Sequence, residues 1–83
     1  MNNKELATRL TSMLREAFSR PTLEYRARAQ MRDIPGFDSV NFVMMILALE
    51  AAFDIQLRED EVDSIFTMGD VFALLRRNVP ETD

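Results

Sequence analysis

Between Val40 and Phe53 the chain carries two apolar stripes on a single helical stretch, and no other feature restricts its folding as strongly. Phe42, Met45, Ile46, Leu49 and Phe53 stand at i, i+3, i+4, i+7 and i+11. Val40, Val43, Met44, Leu47 and Ala51 repeat that spacing from two residues earlier. At about 100° per residue the second set lies nearly opposite the first. A helix apolar on all sides is either enclosed by its neighbours or presents one face to something outside its own fold. The choice depends on how much chain there is to cover it. A chain of 83 residues buries only roughly 60% of its unfolded surface, and the sequence offers just two other substantial helices. One stripe is therefore expected in the core. The other, which begins beside Ser39, is expected to meet a partner or a ligand.

The remaining elements follow from the same periodicity. Leu6, Leu10, Met13, Leu14, Ala17 and Phe18 make one apolar face of a helix over Lys4 to Phe18. Asn2 or Asn3 can cap its start, and Pro21 disfavours helix at the residue before it. Thr22 to Phe37 is less regular. A short helical turn is expected around Glu24 to Ala29, with Pro35-Gly36 closing the segment as a turn. The double-faced helix should run from Ser39 to Phe53 with Asp38 as its N-cap. Asp54 to Arg58 reads as a connection with Ile55 and Leu57 pointing inward, and Glu59 to Ile65 as a short helix with an acidic first turn. Thr67 and Asp70 have capping-box spacing before a last helix whose core residues are Met68, Val71, Phe72 and Leu75. Arg76 and Arg77 suit its C-terminus. The fold expected is all-α, a small bundle of three main helices plus one short helix. It forms one domain over 1–83, with flexible ends at 1–3 and 79–83.

Composition removes whole classes of function. With no histidine and no cysteine, a Ser-His-Asp triad, a Cys-His pair and the common zinc sites cannot be built. No pair of carboxylates stands out from an ordinary acidic surface, so the chain is expected to be non-catalytic and to hold no metal. A net charge of -4 argues against nucleic acid, whose binding rests on neutralising phosphates. Lys4, Glu5, Arg9 and Arg15 interrupt any signal-like apolar region. The longest apolar run, Phe42 to Leu49, is too short to span a bilayer. The expectation is a cytoplasmic monomer that does not insert into membranes.

Ser39 stands at the start of the double-faced helix. Serine is common there as a helix-start residue, and Gly36-Phe37-Asp38-Ser39-Val40 is no nucleophile elbow, because glycine does not flank the serine on both sides. An exposed hydroxyl at a helix N-terminus is nevertheless well placed to carry a phosphodiester, which backbone N–H groups and the helix dipole both favour. Here the sequence resembles the acyl carrier protein family, whose signature Asp-Ser-Leu appears as Asp38-Ser39-Val40. The likeness runs on without a gap through Ala48-Leu49-Glu50, Phe53-Asp54, the acidic short helix and Ile65 to Met68, and covers Gly36 to about Leu75. The first helix matches only in pattern.

The resemblance implies a four-helix carrier in fatty-acid, lipid or polyketide-type metabolism. Ser39 would bear 4′-phosphopantetheine, transferred from coenzyme A by a phosphopantetheinyl transferase. Asp38 would cap the helix beside it, and acyl groups would ride as thioesters to acyl-loading and acyl-processing enzymes. Val40, Val43, Met44, Leu47, Glu50 and Ala51 form the expected partner-binding face. The chain also departs from the common fatty-acid carriers. Asn41, Met44, Ala51 and Ala52 stand where those usually have carboxylates, which implies docking by desolvation more than by charge. The segment holding Arg20, Arg26, Arg28 and Arg32 replaces a usually acidic loop and reads either as a partner contact or, the preferred reading, as solvated surface. Met13, Met45 and Met68 read as core filler, adaptable enough to admit an acyl chain. Two alternatives compete. One is an aminoacyl or peptidyl carrier, against which Gly-Phe-Asp-Ser tells because such carriers usually have Gly-Gly-His-Ser. The other is an unmodified helical module that docks into a groove.

Overall fold

The computed structural model describes residues 1–81. It contains four α-helices: α1 (Asn3–Ala17), α2 (Ser39–Phe53), α3 (Glu59–Asp63) and α4 (Met68–Asn78). A single 3-10 turn, Met31–Asp33, interrupts the long segment between α1 and α2. Among the described residues there is no strand, only an isolated antiparallel bridge between Gln30 and Thr67. The all-α bundle of three main helices and one short one is the architecture the periodicity called for. Among the described residues no helix is long and apolar enough to cross a membrane.

α1 packs against both α2 and α4. Its Leu6, Leu10 and Leu14 are wholly buried, and so are Met45 and Leu49 from α2 and Val71, Leu74 and Leu75 from α4. Asn2 caps α1 by accepting the Glu5 N–H at 2.8 Å. The far end of α1 is closed differently from what the sequence suggests. Ser19 takes a left-handed conformation, φ 54°. The Ser19 N–H bonds the Glu16 carbonyl, and the Arg20 N–H bonds the Arg15 carbonyl. This is a Schellman closure with serine where glycine is usual. The helix has therefore ended before Pro21 can act on it.

The helical turn expected at Glu24 to Ala29 does not form there. That segment is irregular, and the short helical turn sits instead at Met31–Asp33. The backbone of 26–31 is committed elsewhere, because it runs beside the start of α4. The Gly69 N–H reaches the Ala27 carbonyl at 3.0 Å, the Met68 N–H reaches Ala29 at 2.9 Å, and the Met31 N–H reaches Phe66 at 2.8 Å. Backbone groups bonded across to α4 cannot also close a local helix. This approach requires Gly69, since a Cβ added there would lie 2.8 Å from the Ala27 carbonyl oxygen. Gly69→Ala is expected to destabilise the bundle by about 1–3 kcal/mol, which thermal denaturation will read as a fall in Tm.

At the head of α4, Thr67 and Asp70 form a reciprocal capping box. Aspartate reaches far enough: its Oδ2 accepts the N–H groups of Phe66 and Thr67, each at 2.9 Å. Those bonds, from Phe66 first and then Thr67, hold the Asp70 carboxyl below its ordinary pKa. A lowered carboxyl pKa adds stability above the ordinary carboxylate range, and that stability is lost as pH falls through the folded-state value. The Tm gap between wild type and Asp70→Asn should therefore be widest near neutral pH and close on acidification.

α3 begins where the Arg58 N–H bonds the Glu61 carboxylate at 3.1 Å, and it stops at Asp63, two residues short of the expected end. Of the ends expected to be flexible, Asn3 is already helical and Val79 is buried. The Met1 ammonium donates to the Pro80 carbonyl at 3.0 Å, and Arg76 donates to the Met1 carbonyl and Asn3 Oδ1. Residues 82 and 83 lie outside the described residues.

Candidate functional site

The two stripes of α2 have separate fates. Met45, Ile46 and Leu49 are buried, with Phe42 and Phe53 packed half-buried beside them. On the other face Val40, Val43, Met44 and Leu47 remain between 53% and 68% exposed. Ala51 is exposed with them. The helix is thus not central to the bundle, and its second apolar face is bare. That face starts at Ser39.

A rigid turn delivers the chain to Ser39. The Phe37 N–H bonds the Ile34 carbonyl at 2.9 Å across Pro35-Gly36. Proline fixes φ at the first central position, and glycine supplies the positive φ, 90°, that the second demands. Phe37 then stacks on Phe18 at 5.9 Å and meets Phe42 at 5.8 Å. The turn is thereby fastened to the end of α1 and to the core side of α2. Asp38 caps α2, its Oδ1 accepting the Asn41 N–H at 2.7 Å. Asn41 returns a second bond, its side-chain Nδ2 donating to the Gly36 carbonyl at 2.9 Å. In the sequence Asn41 shows only as a residue standing where a carboxylate is usual. Its position three residues after the cap was the available clue to a local structural use.

Ser39 is the first residue of α2, and it is exposed. Its hydroxyl makes no hydrogen bond among the described residues, so neither a base nor a cap role claims it. The N–H groups of the first turn and the positive end of the helix dipole favour an anion here. Acids are absent from the first turn of α2 itself. A shallow hollow of about 300 Å³ beside the serine is lined by Ser39, Val40, Val43 and Met44. The site therefore offers a free hydroxyl, a place for a phosphodiester and an apolar floor next to it. Among the described residues no side chain is hydrogen-bonded to the serine hydroxyl. Among the described residues no cluster of three or more His, Cys, Asp or Glu could hold a metal ion.

Two residues fall outside the pattern expected of the docking face. Glu50 is only half exposed, and its carboxylate turns toward the connection after α2, accepting the Leu57 N–H at 2.9 Å. It braces Asp54 to Arg58 from the edge of the apolar face, seven residues after Val43 on α2. Phe66, at the junction of α3 and α4, is 68% exposed. No periodicity marks a single residue in the junction between α3 and α4, so its exposure is not legible in the sequence.

Comparison with known proteins gives a consistent answer. The chain is 30% identical over 75 residues to an acyl carrier protein of Prochlorococcus marinus (strain MIT 9515), an alignment that takes in 90% of this chain and 94% of that one. It is 38% identical over 50 residues to an acyl carrier protein of Syntrophobacter fumaroxidans (strain DSM 10017 / MPOB), covering 60% of this chain and 62% of that one. No family model matches the chain.

Proposed function

The chain belongs to the acyl carrier protein family, and on that premise we propose that Ser39 is where it carries 4′-phosphopantetheine. The observation behind this is the free, exposed Ser39 hydroxyl at the N-terminus of α2, at the head of a bare apolar face. A phosphopantetheinyl transferase would move the arm from coenzyme A to Ser39 Oγ, the serine losing its proton as the pyrophosphate linkage breaks and adenosine 3′,5′-bisphosphate leaves, with Asp38 and Asn41 holding the first turn of α2 in shape. When bound, the group supplies the thiol that this cysteine-free chain lacks, so that acyl groups can be held as thioesters. The chain itself performs no catalysis in this reading. It presents cargo to acyl-loading and acyl-processing enzymes in the cytoplasm.

The partners we propose are dedicated ones. From Ser39 to Leu49 the helix carries no charge, so a partner finds little to steer it and gains affinity by desolvating Val40, Val43, Met44 and Leu47. Such a surface suits enzymes of a specialised lipid, fatty-acid or polyketide-type pathway better than a basic surface built to read carboxylates. Met44→Glu tests this. Because Met44 is 58% exposed, stability should change by no more than about 0.5 kcal/mol. Binding to the acyl-processing enzyme that takes its cargo should weaken by roughly tenfold or more, measured by calorimetry. Unchanged binding to that enzyme, with improved turnover by ordinary fatty-acid enzymes, would contradict the proposal.

The attachment itself is tested by exposing the purified chain to coenzyme A and a broad-specificity transferase and measuring intact mass. A gain of one phosphopantetheine, located on Ser39 by fragmentation, is the outcome expected. A folded chain left unmodified by an active transferase would favour the docking module that needs no modification.

A further inference from the structure

All the sulfur of this chain is in its methionines. There are six in 83 residues and no cysteine, so no thiol of the polypeptide competes with them for an oxidant. Their surroundings differ sharply. Met31, Met45 and Met68 lie in the core, and Met1 and Met13 are partly buried against it. Met44 alone is exposed, at 58%, although Met45 beside it in sequence is 1% exposed. Helix geometry explains the contrast, since neighbours in sequence are turned by about 100° and here fall on the bare and the buried face of α2. Oxidation of a thioether requires the oxidant to reach a sulfur lone pair, so it follows exposure. A close-packed core denies that approach.

The place of Met44 gives its oxidation a consequence. It lines one shallow hollow together with Ser39, Val40 and Val43. At a rise of about 1.5 Å per residue it lies roughly 7.5 Å along the helix axis from the serine. An enzyme that works on Ser39 Oγ therefore covers this wall. Val40, Val43 and Leu47 complete the bare face, and their hydrocarbon side chains are inert to mild oxidants. As a thioether, Met44 is a flexible apolar contact. As a sulfoxide it carries a strong acceptor oxygen, from which a docking enzyme would strip water while Val40 and Val43 offer no donor in exchange.

We propose that Met44 is a reversible oxidation site whose sulfoxide slows attachment at Ser39, hydrogen peroxide being the oxidant. The sulfur lone pair attacks one peroxide oxygen, and the S–O bond forms as the O–O bond breaks. The hydroxide released takes the remaining proton from the transferred oxygen and leaves as water. Sulfur is thereby oxidised and peroxide reduced. The return step belongs to a methionine sulfoxide reductase, which passes the oxygen to water while a pair of thiols is oxidised to a disulfide. Oxidation itself needs nothing from Ser39, whereas its effect on loading rests on attachment of the arm there.

The test treats the purified, unloaded chain with hydrogen peroxide and removes the excess with catalase. Coenzyme A and a broad-specificity phosphopantetheinyl transferase are then added. Peptide fragmentation should place the first added oxygen on Met44, with Met31, Met45 and Met68 unchanged and Tm preserved. The kcat/KM for gaining the arm should fall about tenfold or more. Methionine sulfoxide reductases for both sulfoxide epimers, with dithiothreitol, should restore it. Met44→Leu, whatever rate it starts from, should load at that same rate after peroxide. A first oxygen on any other methionine would overturn the proposal, as would Met44 sulfoxide that loads as fast as the untreated chain. Slower loading of Met44→Leu after peroxide would overturn it by placing the sensitive group elsewhere. An untreated chain that gains no arm would instead overturn attachment at Ser39, and the effect on loading with it.

Discussion

Ser39→Ala is expected to lose all loading with phosphopantetheine and to melt as wild type does. Both halves follow from the first turn of α2. The cap is Asp38, whose carboxylate holds the Asn41 N–H, and Ser39 stands one residue inside it with a hydroxyl that bonds nothing among the described residues. Removing that oxygen leaves no unsatisfied group, and alanine is the best helix former. Stability should therefore stay within about 0.5 kcal/mol. The other serines are poorly placed to substitute. Ser12 lies within α1, Ser19 is at the left-handed end of α1, and the Ser64 hydroxyl is bonded to the Glu61 carbonyl. None heads a helix beside a bare apolar face. Asp38→Ala makes the contrast: it removes the cap and should cost about 1 kcal/mol while leaving the nucleophilic oxygen in place. Intact mass and thermal melts on the two variants separate attachment from folding.

The second large effect lies two residues apart on one helix. Leu49 is 1% exposed and Leu47 is 53% exposed. Leu49→Ala removes a fully enclosed side chain and should cost about 2–5 kcal/mol. A domain of this length has only about 4–12 kcal/mol to lose, so Tm should fall by roughly 10 °C or more. Leu47→Ala should move Tm by a small fraction of that, because the side chain it shortens is already in water. Equal losses at both positions would mean that the outer face of α2 is covered in the free protein, by a second copy or by the bundle itself, and would remove the docking surface. Urea titration of both variants at two protein concentrations distinguishes those two coverings.

Much of this was legible in the sequence, and the reasons differ by element. α2 was readable because two signals coincide there, an aspartate cap and a long apolar period; the structure closes it with Asp54, left-handed at φ 53°. The choice between a buried and a bare second face needed only a count of helices. The segment between α1 and α2 was not readable. Its conformation is set by backbone bonds from Ala27, Ala29 and Met31 to residues some 35–45 positions away at the head of α4, and local propensity carries no trace of them. The bond of Glu50 is hidden for a related reason, since its partner is a backbone N–H seven residues on, beyond the end of its own helix.

The central claim is that the Ser39 oxygen carries the group through which this protein acts. The measurement that bears on it most directly is the intact mass of the protein isolated from its native host, with fragmentation to locate any adduct. A phosphopantetheine on Ser39, bare or bearing an acyl group, is the result expected, and the acyl mass then names the cargo. Protein recovered only unmodified, from cells whose transferase is active on other carriers, would contradict the claim and leave Ser39 as the first residue of a helix that docks by its apolar face alone.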